Sequence, residues 1–300
     1  MENVLITGGT GTIGTALSRL LADQGYRVRH LSRKADKDAE FKTYAWSPSK
    51  GEMDDEALED VHHIIHLAGA GVGDKRWTES RKKVILDSRI ETANLIYKRV
   101  QEKEIRLKSF ISSSGISYYG SNTTNNIYKK SDLSGSDFLA QVSVKWEQAA
   151  QQFSNVADRV AMIRTGVVLS PTGGAMEKII KPIKMGIGSP LGNGKQFVPW
   201  IHLKDIIGIY SHVLNNSEIY GPINAVASEH VNNEELTKTF AKTLGKKLWA
   251  PKVPAFMLKL LFGEMAIIIL EGSRIDNNLI KEKGYQFQFD TLEDAAADLL

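Results

Sequence analysis

The sequence predicts an α/β fold built on a doubly wound parallel sheet, with a smaller lobe towards the carboxyl terminus. Three observations support this prediction. Short apolar runs alternate with helical periodicity through the first 169 residues, glycines separate the first apolar run from the first helical stretch, and proline and glycine become frequent after Leu169. Repeated alternation of strands and helices is typical of a parallel sheet covered on both faces.

The predicted elements follow one another in a regular order. Val4 to Ile6 is a first strand, and residues 13–21 have the spacing of a helix that stops at Gly25. Arg27 to Leu31 resumes an extended pattern and predicts a second strand. Further strands are expected at residues 64–67, 109–111 and 160–163, and further helices at residues 90–100 and 138–153.

A glycine-rich turn lies between the first strand and the first helix. Gly8, Gly11 and Gly14 occupy the first, fourth and seventh positions of a GxxGxxG pattern. Glycine allows a tight turn and a close approach of the backbone to a pyrophosphate, which the amides at a helix N-terminus then hold. The strand–turn–helix context favours a dinucleotide site over a plain tight turn. The residues assigned to this part of the site are Gly8, Thr10, Gly11, Thr12, Ile13 and Gly14.

The end of the second strand indicates which dinucleotide is bound. NAD enzymes of this Rossmann architecture commonly have an acidic residue there, which binds the ribose hydroxyls. This sequence has Ser32 and Arg33 instead. A hydroxyl and a planar guanidinium suit a 2′-phosphate, so NADP(H) is favoured over NAD. The alternative is that Arg33 is a solvated loop cation and Asp36 binds the ribose.

The third apolar run ends in small residues, Leu67 to Gly71, as expected where a nucleoside crosses the sheet edge. We include Gly69 in the cofactor site on this basis. His66 stands inside the strand, and we interpret it as a hydrogen-bonded core residue.

The regular alternation ends near residue 169. Proline and glycine recur from Pro171 to Gly194, but a helix at 205–214, a strand at 223–226 and a helix at 233–244 follow. The chain is therefore expected to pass between the lobes more than once. We assign residues 1–169, with returning segments near 200–228, to an NADP-binding Rossmann domain. Residues 170–300 are assigned mainly to a substrate-binding lobe that ends in a helical segment, residues 248–300.

Composition and charge exclude several classes of protein. With 42% hydrophobic and 24% charged residues, the chain is expected to fold around a large core. A net charge of +3 without a concentrated basic stripe argues against nucleic-acid binding. The absence of cysteine excludes disulfides and thiolate metal sites, so redox chemistry requires a bound cofactor. No metal site is predicted.

The sequence lacks the pattern of a secretory signal at its start, and we expect a cytoplasmic protein. The longest apolar stretch, Val253 to Leu270, is interrupted by Lys259, Gly263 and Glu264. It falls short of the roughly 18 uninterrupted apolar residues of a spanning helix. We expect a buried helix pair beneath the substrate lobe, with a membrane-surface helix as the alternative. The expected partner is a small-molecule substrate, without nucleic acid or membrane, and a homodimer is compatible with the sequence.

Several motifs resemble one protein family over essentially the whole chain. Beyond the glycine turn they are Arg76-Trp77-Thr78-Glu79, Asp87-Ser88-Arg89, Ser112-Ser113-Ser114 with Tyr118-Tyr119-Gly120, Lys145-Trp146-Glu147, and residues 164–169, 173–175, 200–205, 253–256 and 261–264. The sequence resembles the extended short-chain dehydrogenase/reductase superfamily, and within it the NAD-dependent epimerase/dehydratase relatives called SDR39U1-like or YfcH-like. The resemblance implies that Leu67, Ala68, Arg89 and Val167 also line the cofactor.

The resemblance also implies a catalytic arrangement, from which this sequence departs. In the superfamily a Ser or Thr after the central strand polarises the substrate oxygen, and a Tyr-x-x-x-Lys pair transfers the proton. Ser114 fits the first role. If Lys145 is the lysine of the pair, Gln141 stands in place of the tyrosine. If the alignment is instead set on Glu147, Leu139 and Ser143 stand in place of the tyrosine and the lysine.

We therefore expect Ser114 to act with Tyr118 or Tyr119, helped by Lys145 or Glu147. The alternatives are aromatic packing for the tyrosines and a solvated helix face for Lys145 and Glu147.

A second departure concerns the substrate. Related sugar-nucleotide epimerases have an arginine shortly after a Gly-x-Gln segment. Here Gly194-Lys195-Gln196 is followed by Phe197, Val198 and Pro199, and the arginine is missing. Lys195 supplies only a point charge. His202 and Asp205 are interpreted as structural, with Asp205 as a cap or an ion-pair partner. The predicted function is NADPH-dependent reduction or epimerisation of a small carbonyl or sugar-like compound; the alternative is a noncatalytic NADPH-binding sensor.

Overall fold

The computed structural model describes residues 1–36 and 38–300. The strands are β1 (Asn3–Thr7), β2 (Arg27–Ser32), β3 (Lys42–Ser47), β4 (Glu52–Met53), β5 (His63–His66), β6 (Ser109–Gly115), β7 (Ile127–Tyr128), β8 (Val160–Thr165), β9 (Val167–Leu169), β10 (Trp200–His202), β11 (Gly221–Ala225) and β12 (Arg274–Ile275). The helices are α1 (Thr12–Asp23), α2 (Glu79–Glu102), α3 (Phe138–Gln151), α4 (Gly174–Lys184), α5 (Leu203–Asn215), α6 (Asn233–Thr243), α7 (Ala255–Phe262), α8 (Ile267–Leu270), α9 (Asn278–Glu282) and α10 (Leu292–Leu299).

The central sheet has eight strands in the order β11-β8-β6-β5-β1-β2-β3-β4. All neighbours are parallel except β3 and β4. The chain runs outward from β1 through β2 and β3, then returns to β5 and runs outward in the other direction. This reversal between β1 and β5 is the topological switch point of a doubly wound fold. The predicted fold class, a Rossmann-type α/β sheet, is confirmed.

Each face of the sheet is covered by a pair of helices. One layer contains Leu17 and Leu21 from α1 with Ile206 and Ile209 from α5. The opposite layer is formed by α2 and α3 with the strand residues that face the other way, such as Leu5, Ile64 and Phe110. Strands buried on both faces must be apolar throughout, and this explains why Val4, Leu5 and Ile6 form an uninterrupted run.

β3 and α2 are among the elements that differ from the sequence-based expectation. β3 was not predicted, because its alternating residues include lysine and threonine and lie outside the apolar runs. α2 begins at Glu79, about three turns before the predicted start, with Thr78 as its N-cap accepting from the Arg81 amide (3.1 Å). The early turns of α2 are rich in charged residues and carry only one fully buried side chain, Ile85, before Arg89. Apolar periodicity therefore detects only the second half of the helix.

The C-terminal apolar stretch is organised differently from the prediction. It forms α7 and α8, but Phe256 and Leu260 of α7 are 70% and 78% exposed, and only Leu258 of this helix is buried. The predicted buried helix pair is therefore wrong for α7. Helical spacing places Leu258 against the protein and leaves the other apolar positions outside. Within the described part of the chain, no helix combines the length and apolar character needed to cross a membrane.

His202 and Asp205 hold the start of α5 to the C-terminal segment. The His202 ring accepts from the Lys204 amide (3.1 Å) as the helix N-cap. The fully buried Asp205 carboxylate accepts from the amides of Gln288 (2.8 Å) and Phe289 (3.0 Å) and from another donor in the same segment, the Tyr285 hydroxyl (3.0 Å). Both residues are structural, as expected, but Asp205 anchors a distant segment rather than capping a helix or forming an ion pair.

Candidate functional site

The glycine turn lies where β1 and β5 end side by side. Gly8 adopts a φ of +70°, which favours glycine. A Cβ on Gly8 would stand 3.1 Å from the Ala68 amide nitrogen, and the Thr7 hydroxyl accepts from that amide (3.1 Å). The turn after β1 and the loop of Leu67, Ala68 and Gly69 after β5 are thus in contact at the switch point, where doubly wound folds bind their ligands.

Gly9 and Gly14 of the turn are required by close packing. A Cβ on Gly14 would lie 2.3 Å from the Gly8 carbonyl oxygen, so the first turn of α1 can approach β1 only without a side chain. A Cβ on Gly9 would lie 2.4 Å from the His30 ring. His30 in turn bonds to the Ser18 hydroxyl (2.7 Å). The local geometry is that of a dinucleotide-binding turn.

The N-terminus of α1 offers unsatisfied donors at this turn. Gly11 is the N-cap and supplies no side-chain cap, and the first turn contains no acidic residue. The first amides of such a helix have no intrahelical partner and attract anions. Thr10 and Thr12 are exposed and Ile13 is half-buried. The start of α4 comes close, because a Cβ on Gly173 would lie 3.8 Å from the Thr12 hydroxyl.

The end of β2 carries no carboxylate in the binding position. Ser32, the last residue of β2, is half-buried, and Arg33 is exposed. Asp36, the alternative ribose ligand, is exposed, and its carboxylate accepts from the Asp38 amide (3.0 Å) within its own loop. The arrangement agrees with a site for a phosphate-bearing ribose.

Arg89 is a buried cation beside the loop after β5. Its guanidinium donates to the carbonyl oxygens of Ala70 (3.0 Å) and Ile85 (2.7 Å) and lies 4.7 Å from the centre of the Trp146 ring. Burial, with the nearby charge of Arg81, lowers the pKa of Arg89 to about 10. Within residues 1–36 and 38–300 it has no carboxylate partner, so its positive charge is left for an anion at the sheet edge.

A buried polar network lies at the carboxyl ends of β6, β8 and β11. Glu147 binds Arg164 through two hydrogen bonds (2.7 and 2.8 Å), and the Ser114 hydroxyl donates to Glu147 (2.7 Å). Arg164 also donates to the Tyr119 hydroxyl (2.8 Å), which donates to Asn224 (2.7 Å). Five side chains from five elements are thereby joined in one chain of charge-assisted hydrogen bonds.

The network distinguishes the two adjacent tyrosines. The Tyr119 hydroxyl is buried and bonded on both sides, and burial raises the pKa of Tyr119 despite the Arg164 and Asn224 contacts. Tyr118 is half-buried, and its ring lies 3.4 Å from the Arg164 guanidinium carbon. The hydroxyl of Tyr118 is engaged in no hydrogen bond among the described residues, so of the two tyrosines Tyr118 has the unengaged hydroxyl.

The orientation of α3 favours one of the two alignments of the missing dyad. Gln141 and Lys145 are exposed, whereas Leu139 and Ser143 face inward and are buried. Ser143 bonds to Ser117 (3.0 Å). The positions of the superfamily tyrosine and lysine are thus held by an apolar side chain and a hydroxyl. Lys145 is turned away from Ser114, and this placement does not support a catalytic role for it.

The sequence interpretation missed the role of Glu147 and Arg164. The sequence left Glu147 as either a catalytic helper or part of a solvated helix face, but its side chain is 11% exposed and that of Arg164 is 2% exposed. One signal was present: Arg164 directly follows the apolar run of a buried strand, where a charged residue needs a partner. The identity of that partner depends on how α3 packs across the sheet.

His66 is a neutral core residue beneath the site. Its Nδ1 bonds to the Thr7 hydroxyl (2.8 Å) and its Nε2 lies 3.3 Å from the Thr92 hydroxyl. Complete burial lowers the pKa of His66 to about 4. The structural interpretation of this residue agrees with its surroundings.

The low pKa of His66 predicts a stability change at mildly acidic pH. The unfolded chain takes up a proton near pH 6.5, but the folded protein resists it down to about pH 4, so stability is lost as the pH falls between these values. We expect His66 to account for about 2 kcal/mol between about pH 7 and pH 5. Urea unfolding of wild type and His66→Gln at both pH values measures this. Equal pH dependence in the two proteins would show that another group is responsible.

A glycine turn and an uncapped helix terminus at the switch point of a doubly wound sheet define the class of dinucleotide-binding Rossmann proteins. Residues 4–225 match the NAD dependent epimerase/dehydratase family, and residues 253–299 match a domain of unknown function, DUF1731. The chain belongs to the NAD dependent epimerase/dehydratase family. The family predicted from the sequence motifs is confirmed.

Several relatives match the whole chain. The epimerase family protein SDR39U1 of Mus musculus is 33% identical over 99% of both chains, and the epimerase family protein YfhF of Bacillus subtilis is 32% identical over 99% of this chain and 98% of its own. The crystal structure of human SDR39U1 (isoform 2) with NADPH is similar at 32% identity, with a TM-score of 0.89 and coverage of 99% and 98%. The UDP-glucuronic acid 4-epimerase of Bacillus cereus shares the fold, at 18% identity and a TM-score of 0.80 over 99% of this chain and 98% of its own.

Proposed function

We propose that this protein binds NADP(H) and uses it for reduction, or for epimerisation through a transient ketone, of a small carbonyl or sugar-like compound. The observation that carries the proposal is the end of β2, where Ser32 and Arg33 replace the acidic residue that binds the ribose hydroxyls of NAD. The similarity to human SDR39U1, which was crystallised with NADPH, supports the same cofactor.

The residues present fit such a cofactor. The uncapped amides of α1 and the turn from Gly8 to Gly14 would hold the pyrophosphate, and the buried, carboxylate-free Arg89 would add a positive charge. Leu67, Ala68, Gly69 and Val167 border the same sheet edge and would contact the nucleoside groups. When bound, the cofactor supplies a hydride or accepts one.

The protein's own part in the reaction is proton transfer and orientation. Ser114 stands at the end of β6 with its hydroxyl proton directed to Glu147, so its oxygen is held in a fixed position. Tyr118 offers the free hydroxyl and is therefore our candidate for the proton donor, with its ring held against Arg164. The Tyr119 hydroxyl is already engaged in two hydrogen bonds, so we assign Tyr119 a structural role in the network.

The cofactor preference is tested by titration with NADPH and NADH. Arg33→Ala removes the guanidinium that would bind the 2′-phosphate, and charge-assisted hydrogen bonds are worth about 1.5–3 kcal/mol. We expect NADPH affinity to fall by roughly 10- to 100-fold, with NADH affinity unchanged. Lys34→Ala, the same charge change one residue further on, is the matched control with a smaller effect. An equal loss for both cofactors in Arg33→Ala would contradict the assignment.

Catalysis is tested by NADPH consumption with aldehydes, ketones and quinones. Tyr118→Phe keeps the ring and removes only the hydroxyl, and loss of a general acid lowers turnover by about 100-fold or more. Tyr119→Phe is the matched control, expected to lower stability but to retain turnover. Turnover that is unchanged in Tyr118→Phe would exclude this residue as the proton donor.

A second function is favoured by the replacement of the dyad with Leu139 and Ser143. Leu139 packs with Trp77, Val142 and Met265 in an apolar cluster, and a leucine side chain can neither donate nor accept a proton. Tight NADPH binding by the wild type without turnover on any of the three substrate classes would favour a noncatalytic sensor of the cofactor.

A further inference from the structure

The outer side of α7 is an unusually apolar surface. Phe256, Met257, Leu260 and Leu261 are all at least half exposed. Their spacing of one, four and five residues places them on one side of the helix, opposite the buried Leu258. Monomeric soluble proteins rarely expose a contiguous group of large apolar side chains, and such a group marks an interaction surface.

A neighbouring loop extends this surface. The Trp249 indole donates to the Gly186 carbonyl oxygen (2.7 Å), and Ser189 donates to that of Pro251 (2.6 Å), so residues 185–189 lie along residues 249–251. Val253 then pairs with Leu191, and the chain enters α7 two residues later. We use the name apolar face for this set of exposed residues: Met185, Ile187, Trp249, Phe256, Met257, Leu260 and Leu261.

Lysines predominate among the charged residues of the segments that carry the apolar face. Residues 178–204 and 236–263 contain eleven lysines and no aspartate or glutamate, although the chain has 35 acidic residues in total. Lys252, between Trp249 and α7, pairs with Glu234. The other lysines close in sequence to the apolar face are exposed and have no carboxylate partner among the described residues; they are Lys181, Lys184, Lys246, Lys247 and Lys259. The surface is therefore an apolar area with a positively charged rim.

We propose that the apolar face docks on the surface of a membrane that contains anionic lipids. Apolar and aromatic side chains enter the headgroup boundary while lysines at the rim contact anionic headgroups. Tryptophan is favoured at this boundary because its ring is amphipathic. The expectation that the protein has no membrane partner depended on a buried α7, which the structure does not show.

A second copy of the chain fits the apolar face less well. In a two-fold symmetric dimer the same surface of each subunit meets its equivalent, so the lysines of one rim would approach those of the other. Like charges brought together in this way oppose association. A lipid surface supplies the opposite charge to the whole rim at once.

Trp249 makes the docking measurable without a label. It is 72% exposed, whereas the other four tryptophans are buried, so a change of emission on mixing with vesicles reports on the apolar face. We expect a blue shift and co-sedimentation with vesicles of phosphatidylcholine and phosphatidylglycerol, weakened by salt. Vesicles of phosphatidylcholine alone are expected to bind much less.

Two variants and one control separate the contributions. Lys246→Gln/Lys247→Gln is expected to weaken vesicle binding by about 25-fold, about fivefold per lysine. Phe256→Ser/Leu260→Ser is expected to weaken it at least about tenfold. Both alter exposed side chains, and circular dichroism checks that the fold is retained. Lys50→Gln/Leu133→Ser, which alters an exposed lysine and an exposed leucine elsewhere, is expected to bind like the wild type.

Absence of binding to the anionic vesicles, or equal binding by all the variants, would overturn the proposal. Sedimentation equilibrium in the absence of vesicles tests whether a second copy of the chain covers the apolar face. A dimer that dissociates in Phe256→Ser/Leu260→Ser would assign the apolar face to that second copy instead. None of these readouts depends on cofactor binding or turnover, so the proposal stands or fails independently of the proposed function.

Discussion

Replacing Glu147 by leucine is expected to lower the free energy of unfolding by about 3–5 kcal/mol. The Glu147 and Arg164 side chains are 11% and 2% exposed, so loss of the carboxylate leaves a guanidinium in the interior without its counter-charge. The Ser114 hydroxyl loses its acceptor at the same time. Urea unfolding at neutral pH, followed by circular dichroism, measures the change.

Two further variants identify the cause of that loss. Glu147→Leu/Arg164→Met removes both charges at similar volume, and we expect it to be more stable than Glu147→Leu alone because no unpaired charge stays buried. Asp87→Asn breaks the exposed pair of Lys83 and Asp87 (2.6 Å) and should cost less than about 1 kcal/mol. Similar losses in Glu147→Leu and the double variant would mean that packing, not charge, is responsible.

Gly14→Ala is expected to have the largest effect on cofactor binding. The added methyl group would lie 2.3 Å from the Gly8 carbonyl oxygen and 2.7 Å from the Gly9 α-carbon, so α1 must move away from β1. Overpacking of this kind costs about 1–3 kcal/mol of stability. Misplacing one or two amide donors to the pyrophosphate weakens NADPH binding by about 100-fold.

Gly11→Ala is the control for the fold. Gly11 has a φ of −80°, which alanine adopts freely, and its Cβ would lie 3.3 Å from the same oxygen. We expect unfolding to change by no more than about 1 kcal/mol, since alanine is only a poorer N-cap. Thermal unfolding and NADPH titration are compared for both variants. Wild-type affinity in Gly14→Ala would refute the role of close packing in forming the site.

Much of the Rossmann half could be predicted from the sequence because its signals are local. β1, the glycine turn and α1 are consecutive, and each is defined by the residues within it: an apolar run, glycines where side chains collide, and apolar positions at helical spacing. The glycine turn predicts the position of the cofactor site for the same reason.

The remaining features depend on contacts between distant segments. The pairing of Glu147 with Arg164 follows from the rotation of α3 over β6 and β8, which no short stretch of sequence specifies. The outward side of α7 is likewise set by how Leu258 packs on the rest of the protein. The apolar content of residues 253–270 predicted that α7 is buried. Composition could not indicate that no other part of the described chain covers its outer side.

The anchoring of Asp205 bears on whether the two parts of the chain can fold separately. The C-terminal segment satisfies the buried Asp205 carboxylate, places Ile280 in the layer beneath α5, and contributes α10 to the core around Phe240. A chain that ended before this segment would leave the Asp205 carboxylate buried without these donors. It would also expose the apolar side chains that the segment covers. The segments that match the two families, residues 4–225 and 253–299, are therefore packed into one structure, and we expect them to unfold together.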